Sequence, residues 1–169
     1  MRRFIPKRSI RSDILPSLDD TERRLLKVLQ QDGRISVQDL AQRLNLSTSP
    51  VWRRLKRLED AGIIQRYAAL LDRKRLGLTT MAYVHVSLLD HTEETVGKFD
   101  VFVQDNENII ECASVTGSDD YLLKVVAEDP EDLERIIMRR VLATGLVRSS
   151  TTHFVLSHKK DHAALPLGV

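Results

Sequence analysis

Cysteine is nearly absent from this chain: Cys112 is the single one among 169 residues. One thiol cannot close an intrachain disulfide, and a cysteine-based zinc site is excluded. Set among Ile110, Ala113 and Val115, it reads as a small core residue rather than a nucleophile. Aromatic residues make up 5%, so the cores must be built from Leu, Val, Ile and Ala. No apolar run approaches the roughly 18 residues of a membrane-spanning helix. The beginning of the chain is basic, but Pro6, Lys7, Arg8 and Arg11 interrupt any apolar stretch, which does not suit a signal peptide. There is no phosphate-binding loop, no nucleophile motif and no paired His and carboxylate at a telling spacing. His158 and His162 stand four apart in a polar tail, without the further ligands a metal needs. These absences point to a soluble, cytoplasmic protein that is not an enzyme and carries no cofactor or metal.

What is present is a division of charge. The net charge is +2, but it is unevenly spread. Residues 1–18 carry +4, residues 19–71 carry +3, and residues 79–157 carry −8. A cationic front and an acidic back suit a nucleic-acid module fused to a domain that stays off DNA.

The pattern of the front half is helical. Asp19 or Asp20 can cap a first helix, with Glu22 at capping-box spacing from Asp19, and Leu25, Leu26, Val28 and Leu29 as its apolar stripe. Ser36 caps a second helix that turns Leu40, Ala41 and Leu44 inward. Asn45 and Leu46 make a tight turn. Ser47 caps a third helix, and Pro50 fits its first turn, where a missing N–H costs little. Val51, Leu55 and Leu58 fall at i, i+4 and i+7, so they share one buried face. Trp52, Arg53, Arg54, Lys56 and Arg57 are thereby pushed toward other faces. The hydroxyls of Ser47, Thr48 and Ser49 and the free N–H groups of the helix start suit phosphate oxygens. The cations can neutralise phosphates or read guanine edges. Such a helix pair with a basic second member is a helix-turn-helix for double-stranded DNA. Residues 63–67 read as a short strand, the start of a wing or of a lead into the second domain.

The back half alternates differently. Residues 80–88 place Ala82, Val84, Val86 and Leu88 on one face and Tyr83, His85 and Ser87 on the other, as in a half-buried strand. A helix runs from a Thr92 cap to about Gln104, turning Val96, Phe99 and Val103 inward. Strand runs at 108–116 and 120–127 flank Gly117-Ser118-Asp119, a hairpin connection. A helix opens at Asp129-Pro130, and residues 147–157 form a last strand. The order β-α-β-β-α-β is that of a ferredoxin-like α+β domain. Two helices cover one sheet face; burying the other requires a partner, which implies at least a homodimer. The chain thus divides into a basic arm (1–17), a helix-turn-helix domain (18–67), a linker (68–78), a ferredoxin-like domain (79–157) and a tail (158–169).

Four stretches, LDDTERRLLKVLQQDGRIS, LAQRLNLSTSPVWRRLKRLEDAGIIQRY, LDRKRLGL and VTGSDDYLLKVV, resemble the Lrp/AsnC feast/famine transcription regulators, in the right order and from about Leu18 to Leu156. The resemblance implies a DNA-binding helix-turn-helix and a ferredoxin-like domain that dimerises and senses a small molecule, usually an amino acid. It also implies an octamer of four dimers. The family's Gly-x-x-Asp turn matches Gly117 and Asp120, encloses Ser118 and Asp119, and is followed by Tyr121. Thr151, His153 and Val155 of the end strand would complete the effector site. In it, N–H groups near Gly117 would bind an α-carboxylate and Asp120 an α-ammonium. The position after Gly117, often acidic in the family, is Ser118 here. Two other readings fit parts of the chain: an architectural DNA-coating protein without a ligand, and a small ferredoxin-like enzyme.

Overall fold

A computed structural model describes residues 17–160 and 164–168; nearly all of the expected basic arm, and His162, lie outside them. Among the described residues, those up to Ala69 together with 164–168 form one compact unit, and those from Leu70 to Lys160 form another.

The first unit holds α1 (Asp20–Gln31), α2 (Val37–Leu44) and α3 (Thr48–Asp60). Asp19 is the cap of α1 in a full capping box: its carboxylate accepts from Glu22 N at 2.7 Å, and Glu22 accepts from Asp19 N at 3.1 Å. Ser36 caps α2 by accepting from Asp39 N at 3.0 Å. The turn between α2 and α3 requires Asn45 at φ 54°, a left-handed conformation that Asn tolerates better than most residues. Leu25, Leu26, Leu40, Ala41, Leu44, Val51 and Leu58 make the core, with Leu55 packed at its margin. The strand expected at 63–67 does not form. The N–H groups of Ile63 and Ile64 both turn back to Leu58 O, at 3.0 and 3.2 Å, and their side chains pack on the helical core. Amides spent on closing a helix end are not available to a ladder.

The second unit has β1 (Thr80–Leu88), α4 (Glu93–Asp105), β2 (Ile109–Ser114), β3 (Tyr121–Ala127), α5 (Pro130–Ile136) and β4 (Val147–Phe154). A π-helical turn, Ile137–Val141, and a short 3₁₀ turn, Leu142–Thr144, carry the chain from α5 toward β4. The sheet order is β2-β3-β1-β4, with every pairing antiparallel. This is the ferredoxin-like arrangement expected from the strand and helix order. Ala82, Val84, Val86 and Leu88 lie fully buried with Phe99, Leu123, Val125, Leu133 and Val141. Cross-strand pairing puts Tyr83 opposite His153 and Lys124, and His85 opposite Thr151 and Leu122, on the other face. Of these, Tyr83, His85, Leu122 and Lys124 are half-buried and Thr151 and His153 are exposed.

Candidate functional site

Helix α3 presents its start to solvent. Ser47, Thr48 and Ser49 are exposed, and the Ser47 hydroxyl makes no capping bond although it sits at the cap position. Pro50 occupies the first turn. Trp52 is 60% exposed, so it does not belong to the helical core. The four cations have different surroundings. Arg57 Nε donates to the Glu22 carboxylate at 2.8 Å, and that carboxylate is buried. Arg54 Nη2 donates to Asp19 at 3.1 Å, and Lys56 Nζ to Asp60 at 2.7 Å. Arg53 is exposed and, among the described residues, has no protein partner. Its guanidinium is therefore the α3 cation that can meet a phosphate or a base edge without first leaving a carboxylate. Asp19, bonded by Glu22 N–H and paired with Arg54, is held below the ordinary carboxylate value.

The glycine turn is anchored to the end of β1. Gly117 has φ +127°, a conformation that favours glycine. Asp120 N donates to Val86 O at 2.9 Å, and Leu88 N donates to Asp120 Oδ2 at 2.7 Å. His91 Nε2 lies 2.8 Å from Asp120 Oδ1. A carboxylate only accepts, so this ring nitrogen carries the proton. The bonds from His91 and then from Leu88 lower the Asp120 pKa. The neighbouring Asp119 accepts from Ser87 Oγ at 3.2 Å and from Ser118 Oγ at 3.1 Å, and lies 3.4 Å from His85 Nδ1. His85 in turn meets His153 edge-on, ring centres 5.3 Å apart. Through His85, then, the turn adjoins Thr151 and His153 on the open face. Val155 does not join them. Its N–H bonds Met81 O at 2.9 Å, near the opposite end of β1 from the turn. Tyr121 packs its ring on Phe99, with centres 4.7 Å apart.

Two family models match. Residues 18–65 match a winged helix-turn-helix DNA-binding model, and residues 81–165 match the Lrp/AsnC ligand binding domain. The chain belongs to the Lrp/AsnC family. The regulator is 38% identical over 151 residues to the transcriptional regulatory protein DoeX of Halomonas elongata, covering 89% of this chain and 96% of that one. It is 35% identical to the DNA-binding transcriptional activator DecR of Escherichia coli K12, covering 89% and 99% of the two chains. Among solved structures, a transcriptional regulator from Neisseria meningitidis in complex with L-Met superposes with TM-score 0.86 at 35% identity, over 90% of this chain and 98% of that one. The protein is thus a DNA-binding transcriptional regulator of the Lrp/AsnC type, and the family is one of regulators rather than enzymes.

Sequence reasoning overlooked several residues of this Lrp/AsnC chain. His91 and the Leu88 amide, which hold Asp120, are 29 and 32 residues away from it, and no local pattern announces such a contact. Glu22 carried a signal, its capping-box spacing, but its second role as partner of Arg57 lies 35 residues off. Cys112, expected in the core, is exposed on strand β2, which pairs with β3 alone and so forms one edge of the sheet. Partial desolvation and the charge of Asp100 nonetheless push its thiol up to about 11, away from nucleophilic character. No helix among the described residues is long and apolar enough to cross a membrane.

Proposed function

We propose that this regulator binds double-stranded DNA through α3 and that an amino acid bound at the Gly117–Tyr121 turn shifts its DNA binding or its assembly. The observation that carries the DNA-contact reading is the start of α3: three exposed hydroxyl residues, 47–49, lead into an exposed Arg53 that has no protein partner among the described residues. Hydroxyls and helix-start amides position phosphates, and the arginine adds a charge free to move onto the duplex. Trp52, Arg54, Lys56 and Arg57 border that contact, the last three already paired within the protein. The functional units are a helix-turn-helix domain over 18–67 and a ligand-binding domain over 79–157, joined by 68–78, and the protein acts in the cytoplasm.

The amino acid reading is supported by the ligand-binding model match and by the L-Met complex of the Neisseria relative. Gly117, Ser118, Asp119, Asp120 and Tyr121 form the turn side of the proposed site, with Thr151 and His153 beside it; Val155 enters less directly, from the far end of β1. An α-ammonium reaching Asp120 takes over the oxygen that His91 now holds. Such a ligand changes the balance of states only by binding one of them better. The open sheet face, with Tyr83, His85, Leu122 and Lys124, is the dimer surface of this proposal, and four dimers make an octamer.

A thermal-shift screen with the twenty amino acids tests the reading. Stabilisation by one of them, lost in Asp120→Ala, supports an effector site at the turn. Uniform silence together with retained DNA binding in gel shifts favours the architectural protein instead.

A further inference from the structure

Helix α1 has an outer face that the helix-turn-helix does not use. Arg23, Lys27 and Gln30 stand at i, i+4 and i+7 and line up along it. The chain returns to this face after β4. Gln30 holds both backbone groups of one residue: its Oε1 accepts from Leu165 N at 2.5 Å and its Nε2 donates to Leu165 O at 3.4 Å. Arg23 Nη1 donates to Leu167 O at 2.7 Å. Leu167 is half-buried and packs against the cluster formed by Leu25, Leu40 and Leu58. Between the two leucines stands Pro166, which has no N–H to leave unpaired and which biases the preceding residue toward extended backbone. Backbone groups give this contact its hold and an apolar side chain gives it its register, the division of labour by which extended peptides are recognised.

We infer that the outer face of α1 is a docking surface for an extended Leu-Pro-Leu segment and that its occupant is the chain's own 164–168, acting as a strap. The strap follows β4, which carries Thr151 and His153. The helical unit is therefore tied to the ligand-binding unit by two covalent connections, the 69–70 junction and the strap. Because the occupant is covalently attached, its effective concentration at α1 is set by the intervening chain rather than by the amount of protein. The inference does not depend on any amino acid being bound.

Hydrogen–deuterium exchange of α1 tests it, using the full chain, a chain cut after Lys160, and the full chain with Leu167→Asp. The point variant lies outside every helix, so it removes the apolar anchor without altering helix propensity. Exchange of residues 20–31 should quicken several-fold in both altered proteins. Millimolar acetyl-Ala-Leu-Pro-Leu-Gly-amide should slow it again in the cut chain. Equal exchange in all three proteins overturns the proposal. So does protection that grows with protein concentration in the full chain, because the occupant is then a second copy.

Discussion

Arg57 of α3 donates to a Glu22 carboxylate that is only 2% exposed on α1. The same carboxylate accepts from Asp19 N at the start of α1. One side chain thus caps one helix and fixes the position of another. Its cation is in part a structural element of the helical unit, whereas Arg53 is free of protein partners among the described residues.

The two arginines should therefore separate in experiment. Arg57→Ala leaves Glu22 buried without its cation and should lower stability by ~2 kcal/mol, the scale of a lost charged hydrogen bond. Arg53→Ala should change stability by less than ~0.5 kcal/mol, yet weaken DNA binding and reduce its log–log salt slope by about one. Denaturant melts and gel shifts at several salt concentrations read both effects. Wild-type DNA affinity in Arg53→Ala would remove it from the contact surface.

Asp120 should shape the acid limb of stability. His91 and the Leu88 amide hold its pKa below the ordinary 3.8. A carboxylate depressed on folding contributes stability that is complete above its unfolded value and is lost as pH falls through the lower folded value. Melting temperatures should therefore decline below about pH 4, and Asp120→Asn should flatten that decline. Asp132, held low by its bond from Arg135, adds to the same limb. An acid limb in Asp120→Asn as steep as the parent's would contradict the assignment.

Removing His91 tests the competition for Asp120. His91→Ala frees one carboxylate oxygen at the turn. The amino acid found in the screen should then bind about fivefold tighter by calorimetry, the worth of one modest hydrogen bond no longer broken. Weaker binding would mean that His91 helps to hold the ligand.

Asn45 supplies a backbone prediction. Its φ of 54° is left-handed, and a β-branched residue there is strained. Asn45→Val should cost roughly 1–2 kcal/mol in chemical denaturation, while Asn45→Gly should stay near the parent.

The open sheet face predicts the assembly. Tyr83→Asp introduces a charge among His85, Leu122 and Lys124, and should reduce the mass measured by light scattering while leaving the monomer folded by circular dichroism. An unchanged mass would place the subunit contact elsewhere.

Local signals were legible and distant ones were not. Asp19, Ser36 and Thr92 were readable as caps because a cap and its target lie three residues apart. Strand β1 was readable from alternation, with Val84 and Val86 against Tyr83 and His85, and β2 and β3 from two strand runs flanking Gly117-Ser118-Asp119. Residues 63–67 misled because Ile63-Ile64 is rich in strand formers, yet tertiary packing against α3 outweighed that preference. Cys112 misled because alternation on an edge strand leaves the helix-facing side incompletely covered. At the candidate sites, residue type was readable and availability was not. Nothing near Arg57 or Asp120 in the chain states that Glu22 or His91 will occupy it.

The strap has a consequence for biosynthesis. Arg23 and the carbonyl it holds, Leu167 O, are 144 residues apart. The three helices can collapse as soon as they leave the ribosome, for their contacts are local and close quickly. Leu167 reaches their cluster only after β4 has been translated. The helical unit of this regulator is thus made before the sheet and completed after it, and a chain halted beyond α3 carries a helical unit whose outer seam is still open.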